Sequence, residues 1–95
     1  MLVLVITAVV LGATHADLTI YQHYEQGGDS TTMVKSGGVP SGWNDAVSSV
    51  CASGTSWMLY QNYEYGGKSV YVAPGACMNV PSWFNDQMSS AKIVQ

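Results

Sequence analysis

Residues 21–28 read YQHYEQGG, and residues 60–67, 39 positions later, read YQNYEYGG. A second pair follows in the same order: residues 43–49 read WNDAVSS, and residues 84–90, 41 positions later, read FNDQMSS. Self-similarity at a fixed period marks a chain built from repeated supersecondary units, none of which buries its apolar face alone. From Asp17 onward the chain is therefore read as two similar units of about 40 residues each. They meet near Ala52-Ser53-Gly54-Thr55, a small, turn-rich stretch.

Outward from these repeats the local pattern predicts strands. Leu18–Tyr21, Ser48–Ala52, Trp57–Tyr60 and Ser69–Ala73 are short runs containing apolar, aromatic and β-branched residues. Gly27-Gly28, Gly37-Gly38, Gly66-Gly67 and Pro74-Gly75 read as the punctuation between strands. Beyond residue 16 nothing sustains an i, i+3, i+4 apolar pattern over a normal helix length, and one helical turn is expected at Pro81–Asn85. Short strands with regular turn residues predict an all-β antiparallel sandwich. Each unit would hold about four strands, the number in a Greek key. A single unit buries little, so the two must pack face to face. The first Greek key is placed at about 17–53 and the second at about 56–95.

Ahead of the repeats, residues 2–12 form one apolar run, LVLVITAVVLG, followed by ATHA. The run is short of the ~20 residues that a membrane-spanning helix needs. Small residues stand at the −3 and −1 positions of a cut after Ala16, the pattern of a secretory signal peptide. A buried N-terminal strand is the competing reading. The expected organisation is a signal peptide over 1–16, a domain over 17–95, secretion to the extracellular space, and no membrane association after cleavage.

Composition narrows the function. Charged residues make up 9% of the chain, the net charge is −3, and the only cations among the side chains besides histidine are Lys35, Lys68 and Lys92. Nucleic-acid binding needs many more cations and is excluded as a class. Cys51 and Cys77 lack the close spacing of a metal or redox pair. In a small secreted domain such a pair most simply forms one disulfide. No N-x-S/T sequon follows any asparagine, so N-glycosylation is not expected.

At these residues the chain resembles the βγ-crystallins. The family's hairpin carries an aromatic, four residues, a second aromatic, one residue, then Gly. Tyr60, Tyr65 and Gly67 match throughout, whereas in the first hairpin Tyr21 and Gly28 match but Gln26 replaces the second aromatic. That hairpin is expected to lack an aromatic lid. Ser30 and Ser69 fall where the family often has a serine tied to the folded-over hairpin. Calcium-binding microbial and invertebrate members carry Asn/Asp-Asn/Asp-x-x-Ser/Thr-Ser once per Greek key. Here it stands as Asn44-Asp45-Ala46-Val47-Ser48-Ser49 and Asn85-Asp86-Gln87-Met88-Ser89-Ser90. One copy would be weak, because Asx and Ser are ordinary turn-formers. Two copies at matching places in a repeat are specific.

The resemblance implies two Ca²⁺ ions, each loop serving both. Within each loop the third-position backbone carbonyl, of Ala46 or Gln87, would ligate one ion, and the fifth-position hydroxyl, of Ser48 or Ser89, would reach the other. An Asx from each pair, Asn44 or Asp45 and Asn85 or Asp86, joins them, with the carbonyls of Gln22 and Gln61 and water. Ser49 and Ser90 look structural, holding each loop onto the next strand. Ca²⁺ takes six to eight oxygen ligands, which such a loop supplies. With few carboxylates per ion the expected affinity is roughly 10⁻⁶ to 10⁻³ M. The resemblance also implies that each sheet borrows a strand from the other unit, placing Cys51 beside Cys77.

Other residues carry less. His23 is the one histidine left after cleavage, so a Ser-His-Asp or zinc site is implausible. Glu25 and Glu64 are explained by repeat symmetry rather than as a catalytic carboxylate pair. Trp43, Phe84 and Trp57 read as core. The leading expectation is a secreted, monomeric calcium-binding domain with a structural role, and no enzyme. The alternatives are a secreted effector of the same fold (a protease inhibitor using residues 35–44, KSGGVPSGWN, or a killer-toxin-like protein) and a carbohydrate-binding module using exposed tyrosines or tryptophans.

Overall fold

The computed structural model describes residues 16–94. The signal-peptide expectation, Ala16 apart, lies outside these residues. Eight strands are present among them: β1 Asp17–His23, β2 Gly27–Met33, β3 Gly37–Gly38, β4 Ser49–Ser53, β5 Ser56–Asn62, β6 Gly66–Val72, β7 Cys77–Asn79 and β8 Ser90–Val94. They form two four-stranded antiparallel sheets, ordered β2-β1-β4-β7 and β3-β8-β5-β6. The third strand of each unit thus pairs with the last strand of the other.

Period-2 alternation explains the central strands. Leu18 and Ile20 of β1, Val50 and Ala52 of β4, Trp57 and Leu59 of β5, and Val70 and Val72 of β6 point inward and are buried. Their neighbours Thr19, Cys51, Met58 and Tyr71 are partly or well exposed. Val47, Val80, Phe84 and Met88 reach into the same core from the loops. Phe84 and Trp57 are fully buried and Trp43 packs against the core from its edge, all as expected.

Three local expectations are corrected. The Gly27-Gly28 and Gly66-Gly67 pairs open β2 and β6 instead of separating strands, and Gly37-Gly38 is itself β3. Each hairpin folds back over its own strand, and a Cβ at Gly28 (φ 73°) would stand 2.5 Å from His23 Cδ2. At Gly67 (φ 79°) it would stand 2.8 Å from Asn62 Nδ2, so the fold-over demands glycine at both places. The second correction concerns Pro81–Asn85, which forms successive turns rather than a helical turn. A short 3₁₀ segment lies instead at Tyr63–Tyr65, with left-handed backbone at Glu64. The third concerns the serines of the hairpins and is taken up with the site.

Cys51 and Cys77 face each other across β4 and β7 and are joined by a disulfide. Because β7 belongs to the second unit, the bond ties one unit to the other. Closing a loop with a sequence separation of 26 contributes about 3–4 kcal/mol by the chain-entropy relation.

Candidate functional site

The two Asn-Asp-x-x-Ser-Ser loops lock into each other. Asp45 and Asp86 both have φ 59°, a left-handed conformation that Asx residues tolerate better than other side chains. That turn lets the Ala46 N–H donate to Trp43 O (3.1 Å) and the Gln87 N–H to Phe84 O (3.0 Å). The Asp45 N–H donates to Met88 O and the Asp86 N–H to Val47 O, each at 3.1 Å. Val47 and Met88, fully buried, anchor the pair in the core. The Ser48 N–H donates to Tyr21 O and the Ser89 N–H to Tyr60 O, both at 2.9 Å. These bonds bring the base of each hairpin, Gln22 or Gln61, against its loop.

Two clefts result, related by the repeat. One is lined by Gln22, His23, Tyr24, Asp45, Ala46, Ser48 and Asp86. The other is lined by Gln61, Asn62, Tyr63, Asp45, Asp86, Gln87 and Ser89. Each gathers the hairpin residue named from sequence with the third and fifth positions of a single loop, whereas the resemblance sends those two positions to different ions. Asp45 and Asp86 line both. Asn44 and Asn85 are not among the lining residues, which separates the two Asx positions that the sequence left equivalent.

Hydrogen bonds cross between the loops. The Ser48 hydroxyl donates to Asp86 Oδ1 (3.4 Å) and the Ser89 hydroxyl to Asn44 Oδ1 (2.6 Å). In the second cleft Gln61 Nε2 donates to Gln87 Oε1 at 2.5 Å. Ala46 leaves the first cleft without that bond. Asn85 Oδ1 is buried with no hydrogen-bond partner, which costs about 1–3 kcal/mol unless something else satisfies it.

Oxygen donors dominate both clefts: carboxylate, hydroxyl, side-chain amide and backbone carbonyl. That set fits a hard cation of the calcium type and suits soft, thiophilic metals poorly. Among the described residues no group of three His, Cys, Asp or Glu side chains is placed to hold a metal. An ion here would depend on neutral oxygens around the two aspartates.

The serines of the hairpins differ from expectation. Ser49 Oγ donates to His23 O (2.6 Å) and accepts from the Gln26 N–H (3.1 Å). Ser90 Oγ donates to Asn62 O (2.6 Å) and accepts from the Tyr65 N–H (3.2 Å). The sixth loop residues, not Ser30 and Ser69, tie the folded-over hairpins, and they reach back to the hairpin rather than on to the next strand. Ser30 and Ser69 lie one place further out, opposite Tyr21 and Tyr60 on exposed edge strands. The first hairpin lacks an aromatic lid, as Gln26 implied, whereas Tyr60 and Tyr65 pack edge to face at 5.6 Å.

Two features escaped the sequence reading. Val39-Pro40-Ser41 and Val80-Pro81-Ser82 also repeat 41 positions apart and lead into the loops. Their valine N–H groups donate to Ser89 O (2.9 Å) and Ser48 O (3.0 Å) of the opposite loop. Longer comparison of the repeats would have found them. The other is a clamp on the first hairpin: the Glu25 N–H donates to Asn79 Oδ1 (2.8 Å) and Asn79 Nδ2 donates to Glu25 Oε2 (2.9 Å). Residues 54 apart in sequence give no local trace of it.

Two Greek keys with exchanged third strands, and duplicated loop-and-hairpin clefts at the loop crossing, define a double-Greek-key sandwich. The chain belongs to the Beta/Gamma crystallin family, whose sequence profile matches residues 17–94. A betagamma-crystallin from an archaeon superposes with TM-score 0.75 at 26% identity, covering 85% of this chain and 100% of that one. One from Ciona intestinalis gives TM-score 0.71 at 27% identity, covering 82% and 99%. A clostrillin double mutant solved in complex with nickel gives TM-score 0.69 at 24% identity, covering 86% and 100%, a likeness of fold alone. A search of curated proteins returns no match.

Proposed function

We propose that this is a secreted, non-enzymatic calcium-binding βγ-crystallin domain that holds two Ca²⁺ ions for stability. The observation that carries the reading is the sharing of Asp45 and Asp86 by both clefts. One cleft offers the carbonyls of Gln22 and Ala46 and the Ser48 hydroxyl. The other offers those of Gln61 and Gln87 and the Ser89 hydroxyl. Bound ions would neutralise two carboxylates and crosslink the loops of the two units. Stabilisation on the order of 1–3 kcal/mol per ion follows from mass action when calcium exceeds its dissociation constant by ten- to a hundredfold.

Calorimetric titration of residues 17–95 with Ca²⁺ tests the reading. Two binding events and a melting temperature that rises with calcium are expected. Because each aspartate lines both clefts, Asp86→Asn alone is expected to weaken both events, and Asp45→Asn likewise. No binding heat together with a calcium-independent melting temperature would overturn the proposal. Loss of one event with the other intact would overturn the sharing.

A further inference from the structure

The two hairpin tips have the same backbone, with φ 58° at both Glu25 and Glu64, but different surroundings. Asn79 clamps Glu25 through two hydrogen bonds. Asn79 pairs with Ser49, and the residue pairing with the matching Ser90 is Gly38. Where the first tip meets an asparagine side chain, the second meets none. The result is a recess lined by Gly37, Gly38, Tyr63, Glu64 and Tyr65. Folding does not require glycine at position 38. Its φ lies outside the left-handed range, and a Cβ there would meet the Tyr63 ring at 3.5 Å and Ser89 O at 3.7 Å, both ordinary contacts.

The recess adjoins the second cleft, with which it shares Tyr63, but its other lining residues give it a different chemistry. Tyr63 is 57% exposed and Tyr65 37%. Among the described residues the Glu64 carboxylate has no hydrogen-bond or ionic partner. Lys92 Nζ stands over the Tyr65 ring at 5.4 Å. The surface therefore combines two aromatic rings, a free acceptor, phenolic hydroxyls that both donate and accept, and a nearby ammonium. An anionic ligand would be repelled by Glu64, and a cationic one would have to displace the Lys92 ammonium from the Tyr65 ring. A neutral polyol with an apolar C–H face answers all of these groups. Its ring lies on tyrosine while adjacent hydroxyls donate to the carboxylate. We infer that the Gly38 recess is a saccharide-binding subsite, with Tyr63 and Tyr65 as the stacking surface and Glu64 as the hydroxyl acceptor.

The test is amide-resolved NMR titration of residues 17–95, with and without EDTA, against cello-, chito-, manno- and galacto-oligosaccharides, with choline as a cationic control. At least one saccharide is expected to shift the amides of Gly37, Gly38 and Tyr63–Tyr65 at concentrations up to about 10 mM, the weak range of a shallow site. Gly38→Asn, which restores the clamp of the other hairpin, is expected to weaken that binding at least about tenfold while leaving the domain folded. Glu64→Gln, an exposed change that does not threaten folding, is expected to weaken it several-fold. Absence of any saccharide shift, undiminished binding in both variants, or shifts produced by choline alone would each overturn the proposal.

Discussion

The two hairpins at residues 21–28 and 60–67 share a backbone and differ in what holds it. Each has two consecutive left-handed residues at its tip, Glu25-Gln26 and Glu64-Tyr65, an arrangement that non-glycine residues adopt at a cost. Each has a buried serine hydroxyl, Ser49 or Ser90, tying its two limbs together. Beyond that the first hairpin relies on the Glu25–Asn79 clamp and the second on the Tyr60–Tyr65 edge contact. A duplicated fold thus keeps the bond that closes the hairpin and varies the support outside it. The second solution leaves its tip carboxylate free and its neighbouring strand bare of side chains, and that difference opens the recess.

The sheets differ in the same way, and there the expected effect is largest. Cys51 and Cys77 link β4 to β7 covalently. At the matching junction of the other sheet, where Gly37 and Gly38 pair with Ala91 and Ser90, Ser36 just ahead of β3 adds a hydrogen bond in place of a covalent link, its Oγ accepting from the Ile93 N–H at 2.8 Å. Replacing both cysteines with alanine is expected to cost about 3–4 kcal/mol, a large share of the 5–15 kcal/mol typical of a domain. Ser36→Ala is expected to cost about 0.5–1.5 kcal/mol. Urea unfolding of both variants gives the comparison. Equal losses would mean that the disulfide contributes no more than that single hydrogen bond.

Much of the architecture was legible because strong signals came in pairs. The apolar, aromatic and β-branched runs Leu18–Tyr21 and Trp57–Tyr60 located β1 and β5, where buried residues alternate with partly buried ones. The duplicated Asn-Asp-x-x-Ser-Ser located both clefts, because a loop that meets its twin is visible as a repeat. What stayed hidden has no local pattern. Strand β2, GGDSTTM, is polar and mostly exposed along the sheet edge, so no apolar period marks it. Strands β3 and β7 hold two and three residues and exist only because β8 and β4 accept them. The Ser49 and Ser90 hydroxyls act on carbonyls 26 and 28 residues away, which only the fold brings close.

Those two serines supply the next test. Both are fully buried, and alanine at either would leave a carbonyl and an N–H of the hairpin without their partner. Ser49→Ala and Ser90→Ala are each expected to cost about 1–3 kcal/mol, because each removes two part-buried hydrogen bonds to the hairpin. Differential scanning calorimetry of the two variants sharpens the contrast between hairpins. Comparable losses would place the closing bond above the outer supports in importance. A neutral Ser49→Ala beside a destabilising Ser90→Ala would show that the Asn79 clamp alone holds the first hairpin.

The smallest effect concerns the lid. Tyr60 and Tyr65 pack with ring centroids 5.6 Å apart at an interplanar angle of 63°, an edge-to-face geometry worth about 0.5–1.5 kcal/mol beyond the area it buries. Tyr65→Gln copies the first hairpin and is expected to lose that amount. The reciprocal change, Gln26→Tyr, places a ring on a backbone already at φ 58°, close to the 62° of Tyr65, so it adds no new conformational strain. Facing Tyr21, the new ring is expected to stabilise the domain by up to about 1 kcal/mol. Thermal melts of the two single variants and of the exchanged pair decide the matter. If the lid is transferable, the exchanged pair returns close to the parent stability. If Gln26→Tyr leaves the melting temperature unmoved while Tyr65→Gln lowers it, the lid works only where the clamp is absent. The two hairpins would then be alternative answers to one strained turn rather than a complete form and a degraded copy.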